Sequence, residues 1–462
     1  MMKKLYKFSA IAAVLMSASL ASCNHEEADI FDQNAAHRTE EARKMYKEIL
    51  LDKGGKWQME YFTTEEEHGY VYLFTFRNDG TVTISGNNEY ITKLTNIDSN
   101  VPSYGSETSM WTILSDNGPV LSFNSYNTIF HLFATPEDIP GTERDEQGYG
   151  HSGDYEFDLM KYSNDTLYLE GKKNGAEIIM TRIAPETDDE TYLNEVVALA
   201  DSFFNAKIPA VYVNLPGGYR HVVLDGATLL PRIYPETGDS ISEYVPSNAI
   251  ITHDGFTLGK PLTLRDSIDK NDYTIQHFIR QKDGSLLCTD DNRITITADA
   301  LNKVVGDPRV LWRVNAADCK GELGTSFAGI NSGFKAYNGS SLVYFNIGLN
   351  VSNNTKAPHT MVVRIKTKRG SYLNMSVPYN VEYTGKDEIK FVLGEMDNNM
   401  KTFIDKVPAF KTMMNKLASS TFKCSSNSLI APVNMVLTDS GDASSALGIR
   451  ALEASPLSVS TI

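Results

Sequence analysis

The 462-residue chain predicts a mainly β protein, an N-terminal antiparallel up-and-down barrel followed by a second β-rich domain with covering helices. Three observations carry this. Apolar residues alternate with period two over long stretches, placing every second side chain on one face of a strand. Asn-Gly and Asp-Gly pairs punctuate those stretches at hairpin spacing. The helical period is confined to short intervals after about residues 37, 189 and 398.

The first 22 residues read as a signal peptide. Lys3, Lys4 and Lys7 precede an apolar run over 8–20, too short for a membrane-spanning helix, which needs ~20 apolar residues. Leu20-Ala21-Ser22-Cys23 closes that run and resembles a bacterial lipobox. The resemblance implies cleavage before Cys23 and acylation of that cysteine, with enough buried methylenes for stable anchoring in lipid. The following Asn24-His25-Glu26-Glu27-Ala28-Asp29 resembles the surface-export signal of Bacteroidota lipoproteins, which implies the cell-surface side of an outer membrane. Residues 23–52 then supply a tether and a short helix, with Ala42, Met45, Tyr46, Ile49 and Leu50 on one face and Gly54-Gly55 ending it.

Residues 53–185 predict the barrel. Trp57, Met59 and Tyr61 share a face of the first strand, and Tyr70, Tyr72, Phe74 and Phe76 a face of the second. Asn78-Asp79-Gly80, Asp116-Asn117-Gly118-Pro119 and Asn174-Gly175 are turns, and further strands are predicted over 110–114, 120–123 and 128–133. A meander of eight or nine strands commonly closes, because closure removes its edges. Gly55-Lys56-Trp57 resembles the Gly-x-Trp signature of lipocalin-like barrels, which implies a tryptophan plugging one end with an arginine across it; Arg182 is the candidate. An acidic loop spans 135–153.

A linking helix is predicted over 186–207, a second β-rich domain over 208–439 with a helix at 398–418 interrupted by Pro408, and a disordered tail over 440–462. Of the cysteines other than Cys23, Cys288, Cys319 and Cys424 allow at most one disulfide and lack metal-ligand spacing. The formal charge is −15, and removing the signal peptide takes away three lysines and no acid, leaving −18. Such a balance argues against nucleic acid as a partner.

No cofactor or metal is predicted. The nine histidines contain no His-Glu-x-x-His. Gly150-His151-Ser152-Gly153-Asp154 lacks the second glycine of a nucleophile elbow, and the acids at 266, 269 and 272 lack the glycine of a calcium loop. Trp111, Tyr104, Tyr126 and Tyr149, placed near loop tips, are the candidates for stacking on a flat ligand, with His151 beside them. The stretches around 54–61, 76–81, 117–123 and 153–157 resemble an uncharacterised family of Bacteroidota lipoproteins associated with SusC/SusD-type uptake systems. That resemblance implies a binding or accessory role in nutrient uptake; a polymer-degrading hydrolase and a fimbrial-type subunit are the alternatives.

Overall fold

The computed structural model describes residues 35–63, 68–99, 101–135, 151–203, 211–224, 232–235, 248–349 and 359–454. Cys23, Tyr149 and most of the acidic loop lie outside them. The strands form three successive antiparallel meanders, and in each the first strand pairs with the last.

The first meander follows helix α1 (Ala35–Leu51). It contains β1 (Lys56–Phe62), β2 (Tyr70–Phe76), β3 (Thr81–Asn88), β4 (Ser103–Met110), β5 (Thr112–Ser115), β6 (Pro119–Ser122), β7 (Glu156–Ser163), β8 (Thr166–Gly171) and β9 (Glu177–Arg182). Strand order is β4-β3-β2-β1-β9-β8-β7-β6-β5. The two edges are separated in the chain by Trp111 alone, so the sheet curls on itself, but no ladder joins β4 to β5 among the described residues. The expected closed N-terminal barrel is therefore a curled, unclosed sheet.

The physical reason lies in residues 123–133. The predicted strand over 128–133 is a turn ending in a 3-10 segment, His131–Phe133. Its side chains cap the free edge: Asn127 Nδ2 donates to Glu107 O at 3.3 Å, Thr128 N donates to Glu107 Oε2 at 2.6 Å, and Met110 N donates to Ser125 Oγ at 2.7 Å. Edge strands need such cover. The same segment sends Phe130, Leu132 and Phe133 into the core with Tyr61, Tyr72, Phe74, Phe123 and Phe157, so aromatic rings fill the curl.

Helix α2 (Glu89–Lys93) sits between β3 and β4, and α3 (Asp189–Phe203) leads to the second meander. That sheet holds β10 (Val211–Asn214), β11 (Arg220–Leu224), β12 (Arg232–Pro235), β13 (Ala249–Ile251), β14 (Gly255–Arg265), β15 (Asp272–Arg280), β16 (Leu286–Cys288) and β17 (Thr295–Ala298), in the order β12-β11-β10-β17-β16-β15-β14-β13. After α4 (Leu301–Val305), the third meander is a closed eight-stranded barrel. Its strands are β18 (Val310–Val314), β19 (Ser341–Leu349), β20 (His359–Lys366), β21 (Tyr372–Gly385), β22 (Glu388–Leu393), β23 (Thr421–Ser426), β24 (Asn434–Asp439) and β25 (Asp442–Ala454).

The expected single domain over 208–439 is thus two units, and the closed ring is the C-terminal one. The expected disordered tail over 440–462 contains β25, which closes that ring against β18 and β24. Helix α5 (Gly321–Asn338), for which no element is predicted, packs Leu323, Ile330 and Phe334 into the same core as the inward-facing strand residues. The helix expected over 398–418 is a pair, α6 (Asn398–Lys406) and α7 (Pro408–Ser419), because Pro408 has no donor to continue α6 and instead takes the first turn of α7. Cys288, Cys319 and Cys424 are all free; burial pushes each thiol up, that of Cys424 to about 12. No described helix is long and apolar enough to cross a membrane.

The units are stitched together. Gly69 N donates to Ala249 O at 2.8 Å, and Phe62, Leu73, Leu193 and Ile250 share one apolar cluster between the first and second sheets. Ile430 and Ala431, from the β23–β24 connection, enter the core of the second sheet.

Candidate functional site

Alternation along β1 turns Trp57, Met59 and Tyr61 inward and Lys56, Gln58, Glu60 and Phe62 outward. At the inward face, Trp57 is fully buried and donates Nε1 to Leu50 O at 3.0 Å. Arg182 is its partner across the β1–β9 ladder, and the guanidinium lies over the indole at 4.1 Å. Nη2 of Arg182 donates to Ile49 O at 2.9 Å and Nε to Asp165 Oδ1 at 3.0 Å. Hydrogen bonds from Lys53, then Arg182 and Tyr162, hold the Asp165 carboxyl down at about 2. Helix α1, β1 and β9 are thereby clamped at one end of the sheet.

The outward face of β1 is covered by α3 and the second sheet. Lys56 Nζ pairs with Asp189 Oδ1 at 2.6 Å, and Ser85 Oγ donates to Asp189 Oδ2 at 2.8 Å. Tyr192 donates to Gln58 Oε1 at 2.7 Å and stacks on His253 at 4.5 Å. His253 Nε2 lies 2.9 Å from Glu195 Oε2, and Nδ1 lies 3.1 Å from Asp254 Oδ1. Burial opposes the charge on this imidazole, but the Asp254 and Glu195 carboxylates outweigh it and raise its pKa. Among the described residues no charge partner offsets the burial of Glu60, whose carboxyl rises to about 7.

That value lies above the ~4.3 of a glutamate in an unfolded chain, so between these limits the folded state holds a proton that the unfolded state releases. Stability from this group is complete below about pH 4.3 and is lost as pH rises through 7. Glu60→Gln should therefore stabilise the protein at pH 8 by on the order of 2 kcal/mol and change little at pH 4.3. Urea midpoints of both proteins across that range test this; a pH-independent difference would refute it.

Where β1 ends, the same interface opens into a cleft of about 390 Å³. Its polar lining is Thr63, Ser152, Asn174 and Glu177 from the first sheet and Asn248 and Lys260 from the second, with Phe62 and Ala176 adding apolar surface. Asp154 builds the first wall: it is buried, and its carboxylate accepts from Lys173 N, Asn174 N and Ala176 N at 2.9 to 3.2 Å, shaping the β8–β9 turn. Tyr61 locks it, accepting from Asp154 N at 2.6 Å and donating to Asp154 O at 3.0 Å. Gly259 N donates to Asn248 O at 2.8 Å across the second wall, where a Cβ at 259 would fall 1.9 Å from Asn248 Oδ1. Residues bearing hydroxyl, amide, carboxylate and ammonium groups thus border one opening, side chains of the kind that bind a hydroxyl-rich ligand.

The residues predicted for stacking are dispersed. Trp111 is not at a loop tip; it is 5% exposed at the β4–β5 corner, donates to Thr81 O at 3.0 Å and packs edge-on against Phe76. Tyr104 is half-buried on β4 beside the cluster under α3. His151 is buried against Tyr90 and Phe133. Tyr126 alone among the described candidates is broadly exposed, 62%, with its ring beside His131. None of these lines the cleft, although His151 directly precedes Ser152, which does. The acidic 266–272 loop holds no ligand cage: Asp266 is buried and accepts from Gly217 N and Ile268 N, both at 2.8 Å, so it pins two turns. Among the described residues no group of three or more His, Cys, Asp or Glu could hold a metal.

Taken together, the fold and cleft define a three-unit antiparallel β protein with a polar opening between its first two units. The chain belongs to the DUF4302 family, a domain of unknown function whose model matches residues 27–281. That span covers the first sheet and most of the second, and ends before the closed barrel. No curated protein matches the chain. Among solved structures it is similar to kievitone hydratase from Nectria haematococca, at 8% identity over 87% of this chain and 90% of that one, with a TM-score of 0.14. A superposition at that score defines no shared fold.

Proposed function

We propose that this protein is a cell-surface lipoprotein, anchored through Cys23 in a Bacteroidota outer membrane, that captures a hydroxyl-rich ligand as an accessory of a SusC/SusD-type uptake system. The cleft between the first two sheets carries this reading, because its hydroxyl, amide and charged side chains match the surface of a sugar better than that of an apolar molecule. The lipobox and the acidic residues after it support the anchor and its external face. Arg182 over Trp57 supports a lipocalin-like origin for the first sheet. The aromatic filling of the first sheet's interior favours the cleft over the curl as the ligand's seat. The last unit is a hydrogen-bonded ring, so the strand donation of the fimbrial alternative would have to use an edge of the first or second sheet.

Calorimetry of the purified protein against a panel of oligosaccharides tests the capture role. At least one should bind, and Glu177→Ala together with Asn174→Ala should weaken it at least tenfold. A panel without binders, in a protein that also co-purifies with no transporter, would refute the reading. For the anchor, labelled palmitate should enter the wild-type chain and not Cys23→Ala.

A further inference from the structure

The outer face of the closed barrel carries a diagonal row of stacked arginines and tyrosines. Inward residues here are Trp312, Phe345, Val363 and Met375; their neighbours Arg313, Tyr344, Arg364 and Asn374 therefore point outward. Arg313 on β18 lies over the Tyr344 ring on β19 at 4.7 Å. Arg364 on β20 lies 6.0 Å from the Tyr344 ring and 4.7 Å from the Tyr372 ring on β21. Arg450 on β25 is exposed directly across the ladder from Arg313, and exposed Lys366 is opposite Tyr372. A bulge at Val343 keeps Tyr344 on the outer side in register with Arg364.

The chain has a net charge of −15, and many of its exposed bases are paired with carboxylates. No carboxylate among the described residues lies within ion-pair distance of Arg313, Arg364, Lys366 or Arg450. The register partners flanking them are Asn346, Asn374, Ser341 and Asn434, none of them acidic. Arg313 is further fixed by donating Nε to Asn346 Oδ1 at 3.0 Å. Stacking on a ring holds a guanidinium flat and leaves its in-plane N–H groups aimed at solvent, the geometry that forks a carboxylate or sulfate.

We infer that the outer face of β25, β18, β19, β20 and β21 is a docking surface for an acidic polysaccharide. Two features select that occupant. First, the row is one side chain wide and crosses five strands, about 19 Å at ~4.8 Å per strand, which fits a linear chain better than a protein patch with an apolar centre. Second, a body of net charge −15 repels a polyanion in proportion to its charge density. Duplex nucleic acid carries one charge per ~1.7 Å and is repelled most, whereas a sugar chain with one carboxylate per ring is repelled less. This face is separate from the inter-sheet cleft, and the inference holds whether or not the cleft binds a sugar.

The test uses the full-length purified protein with polygalacturonate as probe, and with its methyl ester, dextran, polyglutamate and a 20-base-pair DNA duplex as comparisons, by biolayer interferometry at 50 and 200 mM salt. Polygalacturonate should bind, more weakly at the higher salt, and its uncharged ester and dextran should not. Arg313→Ala with Arg364→Ala should weaken binding at least tenfold. Arg313→Lys with Arg364→Lys keeps the charge but loses the fork, and should weaken it severalfold. Unchanged circular dichroism will show that both variants are folded. Equal binding of polygalacturonate by wild type and both double variants would overturn the proposal. So would tighter binding of polyglutamate or DNA than of polygalacturonate, or absence of polygalacturonate binding at 50 mM salt.

Discussion

Ending the chain at Asp439 should abolish the C-terminal barrel as a stable unit. The deletion removes β25, leaving β18 and β24 each without one ladder. It also takes Leu447, Ile449 and Ala451 out of the core, where each is at most 1% exposed. The two large side chains account for ~1.5–3 kcal/mol each by area alone, before the opened ring and its newly exposed edges are counted. That sum approaches the ~5–15 kcal/mol by which a whole domain is usually stable. Helix α5 loses its seat as well, since Leu323 N donates to Ser445 Oγ at 3.1 Å and Lys320 N to Ala446 O at 2.9 Å. Limited proteolysis followed by mass spectrometry should show rapid cleavage across 310–439, with the segment before residue 298 still resistant. Equal resistance of 310–439 in truncated and full chains would refute the prediction.

The second large effect is expected at the Trp57–Arg182 clamp. Trp57→Ala should cost ~3–5 kcal/mol, the usual range for emptying a fully buried aromatic site. Arg182→Ala should cost ~2–4 kcal/mol, because it orphans the Ile49 carbonyl and removes the cation from the indole face. The double variant should cost less than the sum by ~1–2 kcal/mol, since the two share one interaction. Urea unfolding of the four proteins gives that coupling directly. A coupling below ~0.3 kcal/mol would mean that Arg182 acts through its carbonyl contacts alone.

What was legible in the sequence depended on how local its cause was. The inward faces of β1 and β2 were readable because alternation is local, whereas Arg182 was matched to Trp57 only through the resemblance of Gly55-Lys56-Trp57 to the lipocalin signature. Trp111 was not readable. A tryptophan between two polar strands reads as a loop tip, yet here the sheet turns through it and buries it. Lys56, Gln58 and Glu60 read as a solvent face, and only the later helix α3 covers them. In α5 the apolar positions Leu323, Phe327, Ile330 and Phe334 do recur at helical spacing, but Gly321, Gly324, Gly329 and Gly333 among them each disfavour a helix. The packing explains two of those glycines: a Cβ at Gly329 or Gly333 would fall within 3 Å of α7 Ala409 or of Val407 just before it. Strand β25 was hidden by its Ser/Ala-rich start, whose small side chains suit the close approach of α5. The cleft belongs to two sheets at once, so no single stretch of sequence announces it.

First-to-last strand pairing also governs how the molecule carries load. Because β1 and β9 are antiparallel, the residue entering the first unit and the residue leaving it lie side by side, with Lys56 O accepting from Ile183 N at 3.1 Å. A pull between the two ends of this unit would therefore enter and exit at one end of this ladder. It would peel the ladder pair by pair, a weaker geometry than shearing all its bonds together. Behind the Lys56–Ile183 bond, the first ladder pair to meet the tension is Trp57 and Arg182. The clamp thus guards the one point where peeling would begin, and until it yields the tension would bypass the remaining strands.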